Sequence, residues 1–428
     1  MAARRRPTAS TRDAAPRDVA VVGAGMVGLA TAWFLQESGA RVTVYERDRV
    51  AAGSSWGNAG WLTPSLVAPL PEPAVLRYGL KAVLDPSSPV YLPLRADAGL
   101  LRFLASFTRH STHRQWRRGM AAFIPLSERA LGAFDVLAAG GVTAATRPSE
   151  PLLAVYRSER EREGLLDELR AVQQVGQRDV AFGTLTGAEA RAFEPALTAA
   201  AGAAVQIHGQ RYLDPPEYVR SLAAALRAQG GAIVEGSGVR DLRDTADGVV
   251  VTTEVGQQRH DAVVIATGAW LGALARRFGV RQPLQAGRGY SFSVPIERMP
   301  SGPLYFPTQR VACTPLGDRL RVAGMMEFRR PDEPLDPRRI TAIVDAVRPF
   351  LAGVDLDDRQ DEWVGSRPCT ADGLPLLGRT TSPHVFVAGG HGMWGMVLGP
   401  VTGMLMAQTV LKGEAPAELR PFDPLRRR

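Results

Sequence analysis

The feature that most constrains this chain is a glycine pattern near its start, Gly23, Gly25 and Gly28 in VVGAGMVG. The strand DVAVVGAG (18–25) leads into it, and an apolar helical pattern follows as far as Gly39. Strand, Gly-x-Gly-x-x-Gly and helix in this order form the fingerprint of a dinucleotide-binding βαβ unit. The glycines would permit a tight turn and bring the N-terminus of the helix against a pyrophosphate.

The next strand, RVTVYE (41–46), ends on an acid, Glu46. A carboxylate at this position accepts hydrogen bonds from the ribose hydroxyls and disfavours the 2′-phosphate of NADP. The unit therefore predicts a site for FAD or NAD. Its predicted contacts are Gly23, Gly25, Met26, Val27, Gly28, Glu46 and Arg47.

The segment after Glu46 favours FAD over NAD. A nicotinamide enzyme would start another strand soon, whereas this chain continues as RDRVAAGSSWGNAGWLTP, with small residues and amides. We interpret this segment as folding back along the second half of FAD. The late strand DAVVIATG (261–268) would bring its end near the adenylate. Further predicted FAD contacts are Ser54, Ser55, Asn58, Ala59, Gly60, Trp61, Val239, Ala266, Thr267 and Gly268.

A second glycine pattern, Gly390, Gly392 and Gly395, follows the strand HVFVAGG (384–390). The 33 residues after Gly395 do not suffice for a whole βαβ unit, which argues against an NAD site. Two interpretations remain. The pattern is a glycine-rich core turn, or it is a loop and helix N-terminus near Gly395 that stabilise negative charge on reduced flavin. The second assigns to the flavin Gly390, His391, Gly392, Met393, Trp394, Gly395 and Met396.

Composition excludes several classes of protein. The sequence contains no stretch of 18 apolar residues free of charges and turn formers, so we predict no membrane span. Cys313 and Cys369 have no zinc spacing, and we expect no metal and a reducing cytoplasm. The net charge of +8 comes almost entirely from arginine, which we attribute to composition bias and not to nucleic-acid binding. Residues 1–16 are expected to form a disordered basic tail. The basic ends would allow weak contact with anionic lipid on the inner face of the membrane.

Further elements are predicted from periodicity and turn signals. Helices are expected over 100–140, 159–175, 215–229, with Asp214 as N-cap, 336–351, and from about 396 to 411. A hairpin is expected near 239–255, and antiparallel strands over 286–328.

Six segments in order along the chain resemble the D-amino acid dehydrogenases of the D-amino acid oxidase and glycine oxidase superfamily. They are VVGAGMVGLATAWFL (21–35), GSSWGNAGWLTPSLVAPL (53–70), RGYSFSVP (288–295), DRLRVAGMMEF (318–328), WVGSRPCTADGLPLLGR (363–379) and VAGGHGMWGMVLGP (387–400). The first is shared by many flavoproteins, whereas the second and fifth are much more specific. The resemblance implies non-covalent FAD and oxidation of a Cα–N bond to an imine, which water hydrolyses to a 2-oxo acid and ammonia.

The resemblance also implies an α/β fold in two domains, discontinuous in sequence. A Rossmann-like FAD-binding domain of the glutathione-reductase type would comprise 17–70, 205–285 and 365–428. An antiparallel-sheet α+β substrate domain would comprise 71–204 and 286–364. The substrate would be an amino acid, of D configuration or a cyclic imino acid.

Hydride transfer mainly requires that the substrate carboxylate be held so that Cα–H points at flavin N5. The bidentate fork of arginine suits this role, and the resemblance assigns it to Arg367 in GSRP. Tyr290 would donate to the carboxylate or cover the pocket, or it packs in the core. His391 would act as a general base or contribute only backbone near the flavin. Glu327 would bind the substrate amine, or it is a solvated strand residue.

The chain departs from the glycine oxidases at the pocket. Met393 stands where they have an arginine, and Gln309 and Val311 replace a His-x-Tyr. We therefore expect an apolar pocket for a larger, hydrophobic or proline-like side chain, lined by Met393, Trp394, Val311, Met325 and Met326. Three questions stay open: whether the electron acceptor is a quinone, a carrier or O2 (an oxidase that forms peroxide), whether the chain is a non-catalytic FAD-binding subunit, and its oligomeric state.

Overall fold

The computed structural model of the protein describes residues 17–72, 90–91, 97–177 and 180–426. The tail predicted at 1–16 lies outside these ranges. The strands, in chain order, are β1 (Asp18–Val22), β2 (Arg41–Tyr45), β3 (Trp61–Leu62), β4 (Val90–Tyr91), β5 (Arg147–Ser149), β6 (Leu152–Tyr156), β7 (Phe182–Thr186), β8 (Ala203–Ile207), β9 (Gln210–Tyr212), β10 (Ala232–Val234), β11 (Asp241–Thr245), β12 (Gly248–Thr253), β13 (Gly256–His260), β14 (Ala262–Ile265), β15 (Leu284–Val294), β16 (Leu304–Phe306), β17 (Val311–Leu316), β18 (Arg319–Phe328), β19 (Gln360–Thr370), β20 (Leu376–Arg379) and β21 (Val385–Gly389).

Helices connect these strands. The α-helices are α1 (Met26–Glu37), α2 (Ala98–His110), α3 (His113–Ala139), α4 (Glu159–Val175), α5 (Gly187–Phe193), α6 (Pro215–Ala228), α7 (Leu271–Ala275), α8 (Pro337–Val347) and α9 (Gly399–Lys412). Short 3-10 helices cover Pro64–Leu66, Gly268–Trp270, Arg276–Phe278 and Ala417–Phe422. In the described ranges, no helix is both long and apolar enough to traverse a bilayer.

One sheet has six strands in the order β10-β2-β1-β14-β21-β20. Its strands are parallel except β20, which runs antiparallel to β21. The central strand β1 is buried, as its apolar sequence predicts. Gly403 lets helix α9 approach α1 closely, since a Cβ at this position would lie only 2.6 Å from the Ala30 carbonyl carbon.

A second, mixed sheet has the order β19-β15-β18-β17-β16-β6-β8-β7, with β4 paired to β18. Most neighbours are antiparallel, while β16 with β6 and β18 with β4 are parallel. Aromatic side chains, including Phe292, Phe306 and Phe350, fill the core on one face of this sheet. The chain therefore has an α/β fold with mixed sheets.

Several predicted elements are confirmed and others need correction. Helix α4 covers the predicted range, and Asp214 caps α6 by accepting from Glu217 N. The span 100–140 forms two helices, with Pro125 inside the second. The hairpin near 239–255 extends to a third strand, β13. Helix α9 begins at Gly399, because turns occupy the residues before it.

Cys313 and Cys369 are both free, buried thiols. Burial raises the pKa of the Cys369 thiol to about 11. Both side chains are therefore packed as small neutral groups.

Candidate functional site

A cavity of about 1170 Å³ extends from the glycine turn after β1 to helix α4, with walls from both large sheets. It exceeds the roughly 300–1,000 Å³ typical of small-molecule pockets, as a site for a dinucleotide together with a substrate should. Most predicted contacts line it: Gly23, Gly25, Met26, Val27, Glu46, Arg47, Ser54, Ser55, Asn58, Ala59, Trp61, Val239, Ala266, Thr267, Gly268, Tyr290, Arg367, His391, Gly392, Met393, Trp394, Gly395 and Met396. Gly28, Gly60 and Gly390 do not.

The three glycines of the first motif have different roles. Gly23 has a φ of +111°, and a Cβ on it would lie 2.6 Å from Ala266 O. Gly25 lines the cavity, so its bare backbone can meet a ligand. A Cβ on Gly28 would lie 2.0 Å from Gly23 O. Gly28 is therefore needed for packing α1 against the turn, and its contact with the ligand stays a prediction.

The acid and the hydroxyl beside this turn are held by backbone groups. The Glu46 carboxylate accepts from Ala24 N at 2.7 Å through Oε2 and from Asp48 N at 3.0 Å through Oε1. Ser55 Oγ accepts from Met26 N at 3.1 Å, at the first residue of α1. Both side chains thus lie beside the N-terminus of α1, where the free N–H groups and the helix dipole favour an anion.

The segment after β2 ties the two large sheets together. Ser54 Oγ donates to Ser366 O on β19, and Trp61 Nε1 donates to Thr314 Oγ1 on β17 at 2.8 Å. Asn58 Oδ1 accepts from Gly60 N at 2.8 Å and closes a turn. A Cβ on Gly60 would lie 2.1 Å from Leu213 O, so this glycine is required by packing, and its FAD contact stays a prediction.

The nucleotide end of the cavity contains an aromatic residue that the sequence analysis did not single out. Trp270, just after β14, lines the cavity, and the guanidinium of Arg47 stacks 4.4 Å from its ring centroid. Gly238 lines the same region. The cation–π pair forms a flat wall beside Glu46. The sequence could have indicated Trp270, because this tryptophan directly follows the segment ATGA after the late strand.

The late glycine loop lies against the cavity in turns that precede α9. Trp394 Nε1 donates to Ala68 O at 2.7 Å, which fixes the loop to the segment after β3. A Cβ on Gly390 would lie 2.9 Å from Thr370 Cγ2, and this residue does not line the cavity. The helix N-terminus expected near Gly395 is four residues further on, at Gly399.

His391 is buried, and its Nε2 lies 3.0 Å from Thr402 Oγ1 on α9. Burial lowers the pKa of His391 to about 4. The ring is therefore neutral near pH 7 and lies against a hydroxyl on α9, and His391 is among the residues that line the cavity. This arrangement suits the backbone role better than that of a general base.

Arg367 projects from β19 into the cavity. Its Nη1 donates to Met325 O at 2.7 Å. Burial lowers the pKa of Arg367, but an arginine stays protonated at neutral pH. No carboxylate in the described part of the chain forms a salt bridge with it. The cavity thus contains a fixed guanidinium whose charge is available to an anion.

Two backbone features place this guanidinium. The β15–β18 pairing is irregular between Arg288 and Tyr290, and Met325 opposite adopts a φ of +70°. Such a bulge re-aims neighbouring groups, here the Met325 carbonyl toward Arg367. Gly289 leaves the space in which the guanidinium lies, because a Cβ there would be 2.2 Å from Arg367 Nη2. Sequence analysis did not single out Gly289, although it stands in the RGYS segment.

Tyr290 and Glu327 form a buried pair. The Tyr290 hydroxyl donates to Glu327 Oε2 at 2.5 Å, and Tyr290 also lines the cavity, which fits the alternatives in which it covers the pocket or packs in the core. Glu327 is fully buried among Arg288 Nη1 (3.4 Å), Arg329 Nε (3.1 Å) and Arg339 Nε (3.3 Å). It does not line the cavity and is not solvated, so both readings of Glu327 are wrong.

The far end of the cavity is less apolar than expected. Met325, Met326, Met393 and Trp394 line the cavity, but Val311 is packed in the core of the second sheet and Gln309 does not line it. The sequence analysis missed a group of polar residues that also line it. These are Glu72, Tyr156, Glu161, Glu168, Tyr305, Thr308 and Arg310.

Comparisons with known proteins identify the family and the fold of the chain. The family model of the FAD dependent oxidoreductases (DAO) matches residues 18–409. A D-amino acid dehydrogenase of Paramagnetospirillum magneticum is 33% identical over 410 residues, 92% of this chain and 94% of the relative. One of Cereibacter sphaeroides is 29% identical over 406 residues, 93% and 92% of the two chains. The crystal structure of glycine oxidase from Geobacillus kaustophilus aligns with a TM-score of 0.73 at 24% identity, over 97% of this chain and all of that one.

Proposed function

The chain belongs to the DAO family of FAD dependent oxidoreductases, and we propose that it is an FAD-dependent D-amino acid dehydrogenase. The observation that carries the proposal is the guanidinium of Arg367. It lies without a carboxylate partner among the described residues, in the same cavity as the nucleotide-binding turn. The relatives named D-amino acid dehydrogenase match this chain over nearly its whole length and theirs.

FAD fits the residues that line the cavity. Gly25 and the N-terminus of α1 hold the pyrophosphate, and Glu46 binds the ribose hydroxyls. Arg47 and Trp270 would flank the adenylate. The loop from His391 to Met396 would lie against the flavin ring. FAD, when bound, supplies the two-electron oxidant that accepts the hydride from Cα at N5. The cofactor is non-covalent, in keeping with Cys369, whose buried thiol does not line the cavity.

The chain's own residues hold the substrate. Arg367 binds the carboxylate through its fork, and the Met325 carbonyl keeps that fork in place. Orientation of this kind lowers the barrier because the reacting atoms are already aligned. The Tyr290 ring forms part of the wall, held by Glu327. Loss of hydride leaves an imine, and water hydrolyses it to a 2-oxo acid and ammonia.

The two sheets support a division into two domains. The six-stranded sheet takes its strands from 18–45, 232–265 and 376–389, within the predicted FAD-binding segments. We assign the Rossmann-like FAD-binding domain to 17–70, 205–285 and 365–428. We assign the substrate domain to 71–204 and 286–364. A cytoplasmic location, with the basic ends touching anionic lipid, stays a prediction.

One experiment tests the function and the acceptor together. The purified, FAD-loaded protein is mixed without oxygen with a panel of D-, L- and cyclic amino acids, and bleaching of the flavin is followed. Bleaching by D-amino acids is expected, and its absence with every substrate would contradict catalysis and favour a non-catalytic subunit. Air is then admitted: slow reoxidation is expected of a dehydrogenase, whereas rapid reoxidation with peroxide would identify an oxidase.

A further inference from the structure

The cavity has a polar end that the proposed chemistry does not use. Five residues form this polar end, which we call the distal end: Glu72, Tyr156, Glu168, Tyr305 and Arg310. All five line the same cavity as Arg367. These residues come from α4, from β6 and β16, and from the loops before β4 and β17. The distal end therefore lies where the side chain of a substrate held at Arg367 could reach.

Glu168 is directed into the cavity by the periodicity of α4. Leu165, Leu169 and Val172 form the buried stripe of this helix. Glu168 lies within that stripe and, like Leu165, lines the cavity. Its neighbour Asp167 is instead exposed and pairs with Arg170 at 3.0 Å.

The Glu168 carboxyl has no hydrogen bond or salt bridge with any residue in the described ranges. Burial, followed by the nearby charge of Glu72, raises its pKa to about 7, while Arg310 opposes the shift. An acid recessed in this way, without a partner among the described residues, costs folding free energy. A ligand that carries the matching charge would offset that cost.

The distance from Arg367 follows from the sheet. Arg367 is bonded to Met325 on β18, and the adjacent strands are β17 and then β16. Neighbouring strands are about 4.8 Å apart, and Tyr305 is in register with Ala312 and Ala323, two residues before Met325, so it lies roughly 12 Å from Met325. The side chain of arginine or lysine extends roughly 6–7 Å from Cα. With a hydrogen bond of about 3 Å at its end it covers most of this gap, whereas the methyl group of alanine does not.

The charge of the region favours a cation. Glu72, Glu161 and Glu168 line it against one described guanidinium, that of Arg310, which has contacts of its own. Burial raises the pKa of Tyr156 and of Tyr305, so both hydroxyls stay neutral. The Tyr305 hydroxyl already interacts with Arg310, and the Tyr156 hydroxyl can accept from a donor. A substrate side chain with a carboxylate would meet like charge here.

We propose that the distal end is a subsite for the cationic end of a long basic side chain, so that D-amino acids such as D-arginine and D-lysine are preferred substrates and Glu168 is their recognition residue. The inference rests on the proposed function and adds the substrate class to it. It replaces the expectation of an apolar pocket at this end of the cavity.

The test compares D-lysine with D-norleucine, whose apolar side chain is nearly as long. Steady-state turnover with an added redox dye as electron acceptor gives kcat and KM for the FAD-loaded protein and for Glu168→Gln. The unaltered protein is expected to favour D-lysine by at least about tenfold in kcat/KM, the size of one hydrogen-bonded charge. Glu168→Gln should abolish this preference, mainly through KM. Asp167→Asn, on the exposed side of α4, is the matched control and should retain it.

Two results would overturn the inference: equal or better use of D-norleucine by the unaltered protein, or an equal loss of both substrates in Glu168→Gln. Should that variant fold poorly in a thermal melt, Glu72→Gln provides the same comparison, with a smaller but substrate-selective loss expected. Failure of every amino acid to bleach the flavin would instead contradict the proposed function, so the two failures are distinguishable.

Discussion

The guanidinium of Arg367 lies in the space that a side chain on Gly289 would fill, since a Cβ there would be 2.2 Å from Nη2. The two residues stand on adjacent strands, β19 and β15. Two features therefore set the position of the Arg367 guanidinium: the space left by the absence of a side chain on Gly289, and its hydrogen bond to Met325 O.

Replacing Gly289 by alanine should therefore impair function more than stability. Only the flexible end of Arg367 must move to admit the methyl group, so we expect the melting temperature to change little. The displaced fork should raise KM for amino acid substrates at least tenfold, with about 1.4 kcal/mol lost per factor of ten. FAD content and steady-state kinetics check this. An unchanged KM would show that the position of Arg367 does not matter for binding.

Arg367→Ala should raise KM for every carboxylate substrate, by about tenfold to a hundredfold, because a charged hydrogen bond of about 1.5–3 kcal/mol is lost. Arg367→Lys should recover only part of the loss, since a lysine lacks the bidentate fork. Bound FAD should stay at its normal level in both. Arg379→Ala, an exposed arginine outside the cavity, serves as the control. A KM unaffected by Arg367→Ala would remove this residue from the substrate site.

Glu327→Gln should destabilise the fold. The buried carboxylate lies among three guanidinium groups, of which only that of Arg329 is partly exposed, and it accepts from the Tyr290 hydroxyl. Removing a buried charge from such a cluster typically costs about 3–5 kcal/mol, because its partners are left uncompensated. Chemical denaturation measures the loss. Glu362→Gln, in an exposed pair with Arg359, should change the free energy of unfolding by less than about 1 kcal/mol.

The preference for D-lysine should depend on pH through Glu168. Its pKa is raised to about 7 by burial and Glu72, with Arg310 opposing and Glu161, Tyr156 and Tyr305 in the same wall. The carboxylate that binds a cation forms only as the pH rises through this value. We therefore expect the kcat/KM ratio of D-lysine to D-norleucine to increase between about pH 6 and 8. Glu168→Gln should give a flat ratio, and a flat ratio in the unaltered protein would count against the subsite.

Without substrate, the stability of the folded protein should depend on the protonation of Glu168 in the opposite direction, and should fall as the pH rises. The folded pKa of Glu168, about 7, exceeds its ordinary value of 4.5, so the folded state holds the proton more tightly than the unfolded state. Its contribution to stability is therefore complete below about pH 4.5 and is lost as the pH rises through about 7. Melts of the unaltered protein and of Glu168→Gln over this window should diverge, and parallel curves would contradict the shift.

Sequence patterns predicted the structure correctly where the backbone conformation is set by neighbouring residues in the chain. The tight turn at Gly23 needs a positive φ and a close carbonyl, which few residues other than glycine allow. The second glycine pattern placed only the start of the following helix wrongly, because its spacing also suits a longer run of turns and α9 begins at Gly399. Glu327 stood on a strand that looked half-exposed. Its position opposite Arg288 and under Arg339 of α8 depends on strand pairing and helix packing distant in sequence.

The sequence by itself determined the dinucleotide turn and the acid after β2, since each depends on a short motif with its own backbone or charge requirement. The arginine in GSRP was singled out by the resemblance to a family, because one arginine among many carries no signal of its own. Only the tertiary structure decided which residues share the cavity. It separated Gly28 and Gly60, which serve packing, from Gly25, which lines the site. It also brought Glu168 of a charged helix to the same cavity as Arg367, because sheet order and helix placement, and not spacing along the chain, set which side chains meet.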